Sequence, residues 1–176
     1  MSSEPLEMND FLTDYCKIVE TSAARLLEIS DEQSKLAKYP GKWSAREVLG
    51  HLIDSAANNH QRFVRAQFSD ELVFQGYEQA DWVRVQRYID EPWHQLIQLW
   101  KHYNLHLAHL ISAIPEQTLT QSRALHNLDR IAWETVDKKQ QTTLEYFVRD
   151  YVGHLRHHLA QILTEDNDTQ LTPRDM

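Results

Sequence analysis

The sequence has 176 residues, of which 41% are apolar and 25% are charged, and this fits a single globular domain spanning residues 1–176. Its net charge of -8 argues against nucleic-acid binding and against binding to anionic membranes, because both partners need a concentrated basic surface. The sequence contains no run of about 18 apolar residues, the length that would span a bilayer. Its acidic start MSSEPLEMND lacks the regions of a signal peptide, so we expect a cytoplasmic protein.

Apolar residues that recur every three to four positions predict long helices. The first extends over about residues 8–36 and is ended by Tyr39-Pro40-Gly41. The second begins at a capping box, in which the side chains of Ser44 and Glu47 each bond to the backbone of the other residue. This second helix continues to about Gln67.

A loop and a short helix over about residues 79–87 separate the second long helix from the third. The third begins at Asp90-Glu91-Pro92, which supplies an N-cap and a proline in the first turn. It ends before Pro115. Residues 116–141 that follow show no clear periodicity, so their structure is the least predictable part of the chain.

The last helix begins at a second capping box, from Thr142 to Glu145, and continues to about Thr164. Residues 165–176 are expected to form a flexible tail. Four amphipathic helices without a convincing strand predict an all-α four-helix bundle.

Helical geometry separates the three histidines of the last helix. Because successive residues are about 100° apart around the axis, His154 and His158 lie one turn apart beside the apolar stripe, whereas His157 lies beyond its edge. The i, i+4 pair can bind one metal ion, as in metalloprotease helices. His157 is expected either at the rim of the site or as a residue that supports a ligand without binding the metal. A metal needs a third protein ligand. His51 is the best candidate, since it borders the apolar face of the second helix.

Two alternatives stand beside this interpretation. The three histidines of the site could instead be buried residues satisfied by hydrogen bonds, without any metal. A rival histidine set on the third helix projects opposite the apolar stripe of that helix, so we expect it to face solvent. The rival set is His102, His106 and His109.

Two segments around the candidate histidines contain distinctive motifs. Residues 42–55, KWSAREVLGHLIDS, contain a Trp-Ser dipeptide followed by H-L-x-D. Residues 154–162 contain H-x-x-x-H followed by Gln-Ile. Together they resemble the signature of the DinB-like superfamily. Tyr77 and Trp82 also lie where that family carries an aromatic pair, so the resemblance extends from the first helix to about Leu163.

The resemblance implies a DinB-like four-helix bundle, commonly a homodimer, in which His51, His154 and His158 bind a divalent metal. The implied activity is hydrolysis of a small-molecule substrate, or S-transfer with a low-molecular-weight thiol as cosubstrate. Three neutral imidazoles leave the charge of the metal intact, which lowers the pKa of a bound water or thiol. Zinc, nickel and iron all suit imidazole ligands. The alternative is a non-catalytic bundle that binds a metal or a ligand, which closure of the metal by a fourth protein ligand would indicate.

Other residues near these motifs are candidates for supporting roles. Asp54 and Asp150 are spaced to accept hydrogen bonds from histidine ligands, although exposed helix carboxylates have the same spacing. Trp43 and Trp82 are candidates for the walls of a pocket. Cys16 is the sole cysteine and is expected as a small core residue. Because one cysteine cannot form a cysteine-based metal cluster, a metal site must use His, Asp or Glu.

Overall fold

The computed structural model describes residues 7–164, so the predicted tail at 165–176 lies outside the described residues. Within that range the regular structure is helical, and extended backbone pairs only at isolated positions. The predicted all-α class is confirmed. The helices are α1 (Met8–Leu26), α2 (Asp31–Ser34), α3 (Ala45–Arg65), α4 (Gln79–Gln86), α5 (Trp93–Ser112), α6 (Glu116–Thr120), α7 (Leu128–Ile131) and α8 (Leu144–Leu163), with 3-10 turns at Ala66–Phe68 and Tyr88–Asp90.

The four long helices α1, α3, α5 and α8 form the bundle, in which α1 and α3 each pack against both α5 and α8. Tyr15 bonds to Asn104 and Glu20 pairs with Lys101, so α1 and α5 are antiparallel. Residue numbers rise together along the contacts of α1 with α8, which makes these two helices parallel. Residue numbers run in opposite directions along the contacts of α3 with α8, which makes these two helices antiparallel.

The chain therefore runs up in α1, down in α3, down in α5 and up in α8. Because neighbouring helices α3 and α5 are parallel, the connection at residues 66–92 must return along the bundle. A helix of 20 residues is about 30 Å long, so a short turn could not make this connection. This requirement explains the long segment that holds α4 between two of the main helices.

A buried polar network joins three of the long helices. The hydroxyls of Tyr15 in α1 and Tyr151 in α8 donate to Asn104 Oδ1 in α5 over 2.7 and 2.6 Å. Asn104 Nδ2 in turn donates to the Trp100 carbonyl over 2.7 Å. All four residues are buried, and the network satisfies polar groups whose isolation in the core would be costly.

The first helix is shorter than its periodicity predicts, since α1 ends at Leu26 and not at Leu36. The indole N–H of Trp93 donates to the Leu26 carbonyl over 3.0 Å, which satisfies a helix-end carbonyl from outside the helix. Ser30 then caps α2 with a capping box of its own. Leu36, which extended the apolar pattern, is 68% exposed.

The capping box at Ser44 is confirmed, but the one predicted at Thr142 is wrong by one residue. Ser44 Oγ accepts from the Glu47 backbone N–H, and Glu47 Oε2 accepts from the Ser44 N–H over 2.9 Å. In α8 the cap is Thr143. Glu145 there forms an ion pair within its own helix instead of reaching back to the cap.

The start of α5 is satisfied by a residue from a different helix. Pro92 occupies the N-cap position without a side-chain bond, and the predicted cap from residues 90–92 is wrong. Instead, the Trp93 backbone N–H donates to Asp31 Oδ1 over 3.2 Å. The same carboxylate pairs with buried Arg46 at 2.7 Å, so Asp31 joins α2, α3 and α5.

The weakly patterned segment at residues 116–141 is held by a few buried anchors. Leu119, Leu128 and Val136 are buried, and the backbone of Leu72 bonds to residues 125 and 127. These anchors are irregularly spaced because no single helix spans the segment, which explains the absence of a period.

Among residues 7–164, no helix has the length and apolar character needed to cross a membrane.

Candidate metal centre

Three histidines from two antiparallel helices meet at one end of the bundle. His51 lies in the second turn of α3, and His154 and His158 lie one turn apart in α8. One ring nitrogen from each histidine lies within 4.8 Å of the other two. His51 Nε2 and His154 Nε2 are 3.1 Å apart. The structure thus brings together the three residues that the sequence predicts as ligands.

Gln161 orients the ring of His158. The His158 Nδ1–H donates to Gln161 Oε1 over 2.9 Å, so Nε2 is the ring nitrogen that could bind a metal. The Gln161 amide N–H donates to His157 Nε2 over 3.1 Å. Spacing alone places Gln161 on the same face as His157 and His158, at i+4 and i+3, but the sequence does not indicate this role.

Burial favours the neutral form of two of these imidazoles, His51 and His154. His51 is fully buried, and burial, followed by the proximity of His158, lowers its pKa to about 3. Burial and the three neighbouring histidines also lower the pKa of His154 well below its ordinary value. Neutral imidazole is the form that binds metals, so these rings need not lose a proton to act as ligands near neutral pH.

The arrangement fits a divalent cation. Tetrahedral coordination with metal–nitrogen distances of about 2.0–2.1 Å separates ligand nitrogens by about 3.3 Å. His51 and His154 are close to this separation at 3.1 Å, and the three ligand nitrogens all lie within 4.8 Å of one another. Among residues 7–164, the cluster of potential ligands consists of these three histidines, and no Cys, Asp or Glu joins it as a fourth ligand. Three protein ligands with an open position are typical of catalytic sites.

An open cavity of about 1900 Å³ reaches the histidines, and His154, His157 and His158 contribute to its wall. Trp43 also lines the cavity, and its ring centroid is 5.4 Å from that of His51. Trp133 lines the cavity as well, and its ring centroid is 5.5 Å from that of His157. The cavity gives a small molecule access to the three imidazoles.

Comparison with known proteins identifies the family. The family model for the DinB superfamily matches residues 19–162. The chain belongs to the DinB superfamily. Its structure is similar to that of YfiT from Bacillus subtilis, described as a probable metal-dependent hydrolase with an unusual four-helix bundle topology, with a TM-score of 0.69, 22% sequence identity and coverage of 92% of this chain and 89% of that chain. None of the curated proteins compared matches the sequence significantly.

The predicted family and four-helix bundle are therefore confirmed. The aspartate of the DinB-type H-L-x-D motif has a structural role in this protein. This residue, Asp54, accepts from the Tyr88 hydroxyl over 2.7 Å and from the Gln86 amide over 2.6 Å. Burial raises the pKa of Asp54. These contacts support the α3–α4 connection, which differs from the predicted role of a histidine acceptor.

Asp150 also has a different role from the predicted one. Its two oxygens accept from the backbone N–H groups of Trp133 and Glu134 over 3.0 and 2.7 Å. Asp150 thereby holds the segment that carries Trp133 against α8. Gly153 leaves space for this indole, because a Cβ there would lie 3.0 Å from the ring.

The other residues singled out in the sequence differ in how far they are buried. The rival histidines of α5 are exposed, as predicted. Cys16 is half-buried against the core, and His157 lines the cavity. Trp82 is 38% exposed and contacts Tyr77 at 4.8 Å between ring centroids. Of this DinB-type aromatic pair, Tyr77 lines the cavity.

A row of buried polar residues extends along α3 from the histidines. Its members recur at i, i+4, i+8 and i+11, which places them on one face of the helix, and all four are buried. They are His51, Ser55, Asn59 and Arg62. The same 3.6-residue period that identified His51 could have identified the other three, although polar residues on that face do not by themselves reveal a cavity.

Proposed function

We propose that the protein is a metal-dependent hydrolase acting on a small molecule, with His51, His154 and His158 holding a divalent cation. The convergence of three buried or half-buried imidazoles from two helices carries this proposal. Membership of the DinB superfamily and the description of YfiT as a probable metal-dependent hydrolase support it.

The chain's own residues determine how the centre would work. A divalent cation, when bound, supplies Lewis-acid chemistry that lowers the pKa of water or of a thiol. Gln161 fixes the His158 ring so that Nε2 is available. His51 is fully buried, so reactants approach from the cavity along the half-buried His154 and His158. Zinc, nickel and iron remain candidates, since imidazole suits each of them.

S-transfer with a low-molecular-weight thiol is a second candidate reaction. Sites for one small ligand typically measure about 300–1,000 Å³, whereas the cavity here measures about 1900 Å³. That volume accommodates both a thiol and an electrophile. The same cation would lower the thiol pKa, so the two reactions share one centre and differ in the nucleophile.

Metal content tests the ligand set. The purified parent is expected to bind about one divalent ion per chain, measured by mass spectrometry after dialysis, and His51→Ala should lose it. His102→Ala is the matched control, because His102 is exposed on α5 and should leave metal content unchanged. His158→Ala, at a less buried ligand, covers the case in which His51→Ala fails to fold. Absence of bound metal in the parent, or unchanged binding in both ligand variants, would refute the centre.

Activity tests the reaction. The metal-loaded protein should hydrolyse members of a panel of small esters and amides, and removal of the metal with a chelator should abolish turnover. A parallel panel contains a low-molecular-weight thiol and an alkylating electrophile. Product formation only in that second panel would favour S-transfer over hydrolysis. Stoichiometric metal without turnover in either panel would support the non-catalytic alternative.

A further inference from the structure

Arg62 places an almost fully buried positive charge in the wall of the same cavity as the histidines. It lies near the C-terminal end of α3, is 7% exposed and lines the cavity. Among residues 7–164, no carboxylate forms an ion pair with it. A buried charge without a partner is unfavourable, so the missing counter-ion needs an explanation.

The contacts that Arg62 does make hold its side chain without neutralising it. Its NH2 group donates to the Gln75 carbonyl over 2.9 Å, and NH1 is 3.4 Å from Asn59 Oδ1. The guanidinium carbon lies 6.0 Å from the Phe147 ring centroid. A guanidinium has five N–H donors, and these two bonds leave three of them for another acceptor. An oxyanion would accept two of these in parallel.

The neighbours of Arg62 form a connected polar surface toward the histidines. Asn59 Nδ2 donates to the Ser55 carbonyl over 2.9 Å, and Ser55, Asn59 and Tyr77 line the same cavity as Arg62. Burial raises the pKa of Tyr77, so this phenol is a neutral group beside the cation. Polar residues therefore line one side of α3 from Arg62 to His51.

The distance between the two ends suits an extended small molecule. Eleven residues of helix separate His51 from Arg62, a rise of about 16 Å between their Cα atoms. Helical side chains tilt toward the N-terminus, which directs Arg62 back toward the histidines. The aromatic side chains of Phe147 and Tyr151 line the same cavity and contribute apolar surface.

We infer that Arg62 binds an oxyanion of the substrate, a carboxylate or phosphate group, at the end of the cavity remote from the three histidines. The inference deepens the proposed function and rests on it, because it takes the histidines as the reacting end. An anionic group held by Arg62 would orient the substrate so that its opposite end reaches the centre.

Nitrogen-15 NMR of the arginine Nε–H groups tests this site in the full-length protein after metal removal, so that no bound metal can attract the probe. Loss of one signal in Arg62→Lys identifies the Arg62 resonance. Titration with inorganic phosphate or acetate, at constant ionic strength set with chloride, should shift that signal saturably. The probe that binds more tightly identifies the class of oxyanion.

Substitution gives the quantitative test. Arg62→Gln should weaken binding of the probe about tenfold or more, because a charge-assisted hydrogen bond is lost. Arg130→Gln is the matched control, since Arg130 lines the same cavity but its side chain is 71% exposed. That control should leave the dissociation constant unchanged. Circular dichroism checks the fold, and if Arg62→Gln unfolds, the response of the parent signal decides.

The outcomes separate the anion site from the metal centre. An Arg62 signal that responds to neither probe, or unchanged binding in a folded Arg62→Gln variant, would overturn the anion site. His51→Ala should lose metal but still show the anion-dependent shift. A parent protein that binds the anion without binding metal would refute the proposed centre while supporting the role of Arg62 in anion binding.

Discussion

Gly50→Ala should destabilise the protein, because the ring of Tyr88 lies directly against α3 at this residue. A Cβ at position 50 would lie 2.1 Å from Tyr88 Cδ2 and 2.3 Å from Cγ. Carbon atoms in contact are separated by about 3.5 Å or more, so the ring would have to move by about 1.4 Å. The Tyr88 hydroxyl donates to Asp54 Oδ1 over 2.7 Å, and that movement would break this bond.

The expected loss follows from these two effects. Overpacking of a core costs about 1–3 kcal/mol, and losing a hydrogen bond to a charged group costs about 1.5–3 kcal/mol. The better helix propensity of alanine offsets about 1 kcal/mol. The free energy of unfolding should therefore fall by about 1.5–5 kcal/mol, measured by urea denaturation with circular dichroism.

A double-mutant cycle distinguishes the contact with Tyr88 from other effects of alanine. In a Tyr88→Ala background the ring is absent, so adding Gly50→Ala should be neutral or stabilising by up to about 1 kcal/mol. An unchanged free energy of unfolding in the single Gly50→Ala variant would refute the reasoning. So would an equal loss in both backgrounds, since the ring would then not be the cause.

Two further predictions concern Gln161 and Asp31. Gln161→Leu should weaken zinc binding about 10- to 100-fold, measured in competition with a chromophoric chelator, because it removes the acceptor for His158. Gln161→Glu keeps an acceptor and should bind zinc with near the parent affinity. A leucine variant that binds zinc as tightly as the parent would contradict the role of Gln161. The Trp93 backbone N–H, followed by the side chains of Lys35 and Arg46, lowers the pKa of Asp31 to about 2. Its stabilising effect is therefore complete above about pH 4 and is lost as the pH falls toward 2. Asp31→Asn should lower the urea midpoint at pH 7 and reduce its change between pH 5 and 2, and a pH profile identical to that of the parent would count against this ion pair.

The parts of the site that the sequence predicts depend on local geometry. His154 and His158 share a face because an α-helix has 3.6 residues per turn, whatever surrounds it. The cap at Ser44 likewise needs only residues within one turn. The pairing of His51 with these residues came from the motif resemblance and from its place on an apolar face, and the structure brings the three together.

The features that the sequence does not predict depend on contacts between distant segments. Asp31 satisfies the first N–H of α5, 62 residues further along the chain, and no periodicity indicates that pairing. The role of Asp150 depends on where the irregular segment at Trp133 lies. The end of α1 at Leu26 depends on an indole from α5. Basic residues are common near the C-terminal end of a helix, so the sequence does not indicate that Arg62 lines a cavity.

The shared acceptor at Asn104 also limits how far α8 can slide along the bundle. Its oxygen accepts from Tyr15 and Tyr151 together, so a shift of α8 by one turn would leave the buried Tyr151 hydroxyl without this partner. Tyr151 is one turn before His154 on the same helix. The core thus determines the height at which the α8 histidines stand opposite His51, and a neutral amide in the bundle interior supplies the positional accuracy that a three-ligand site requires.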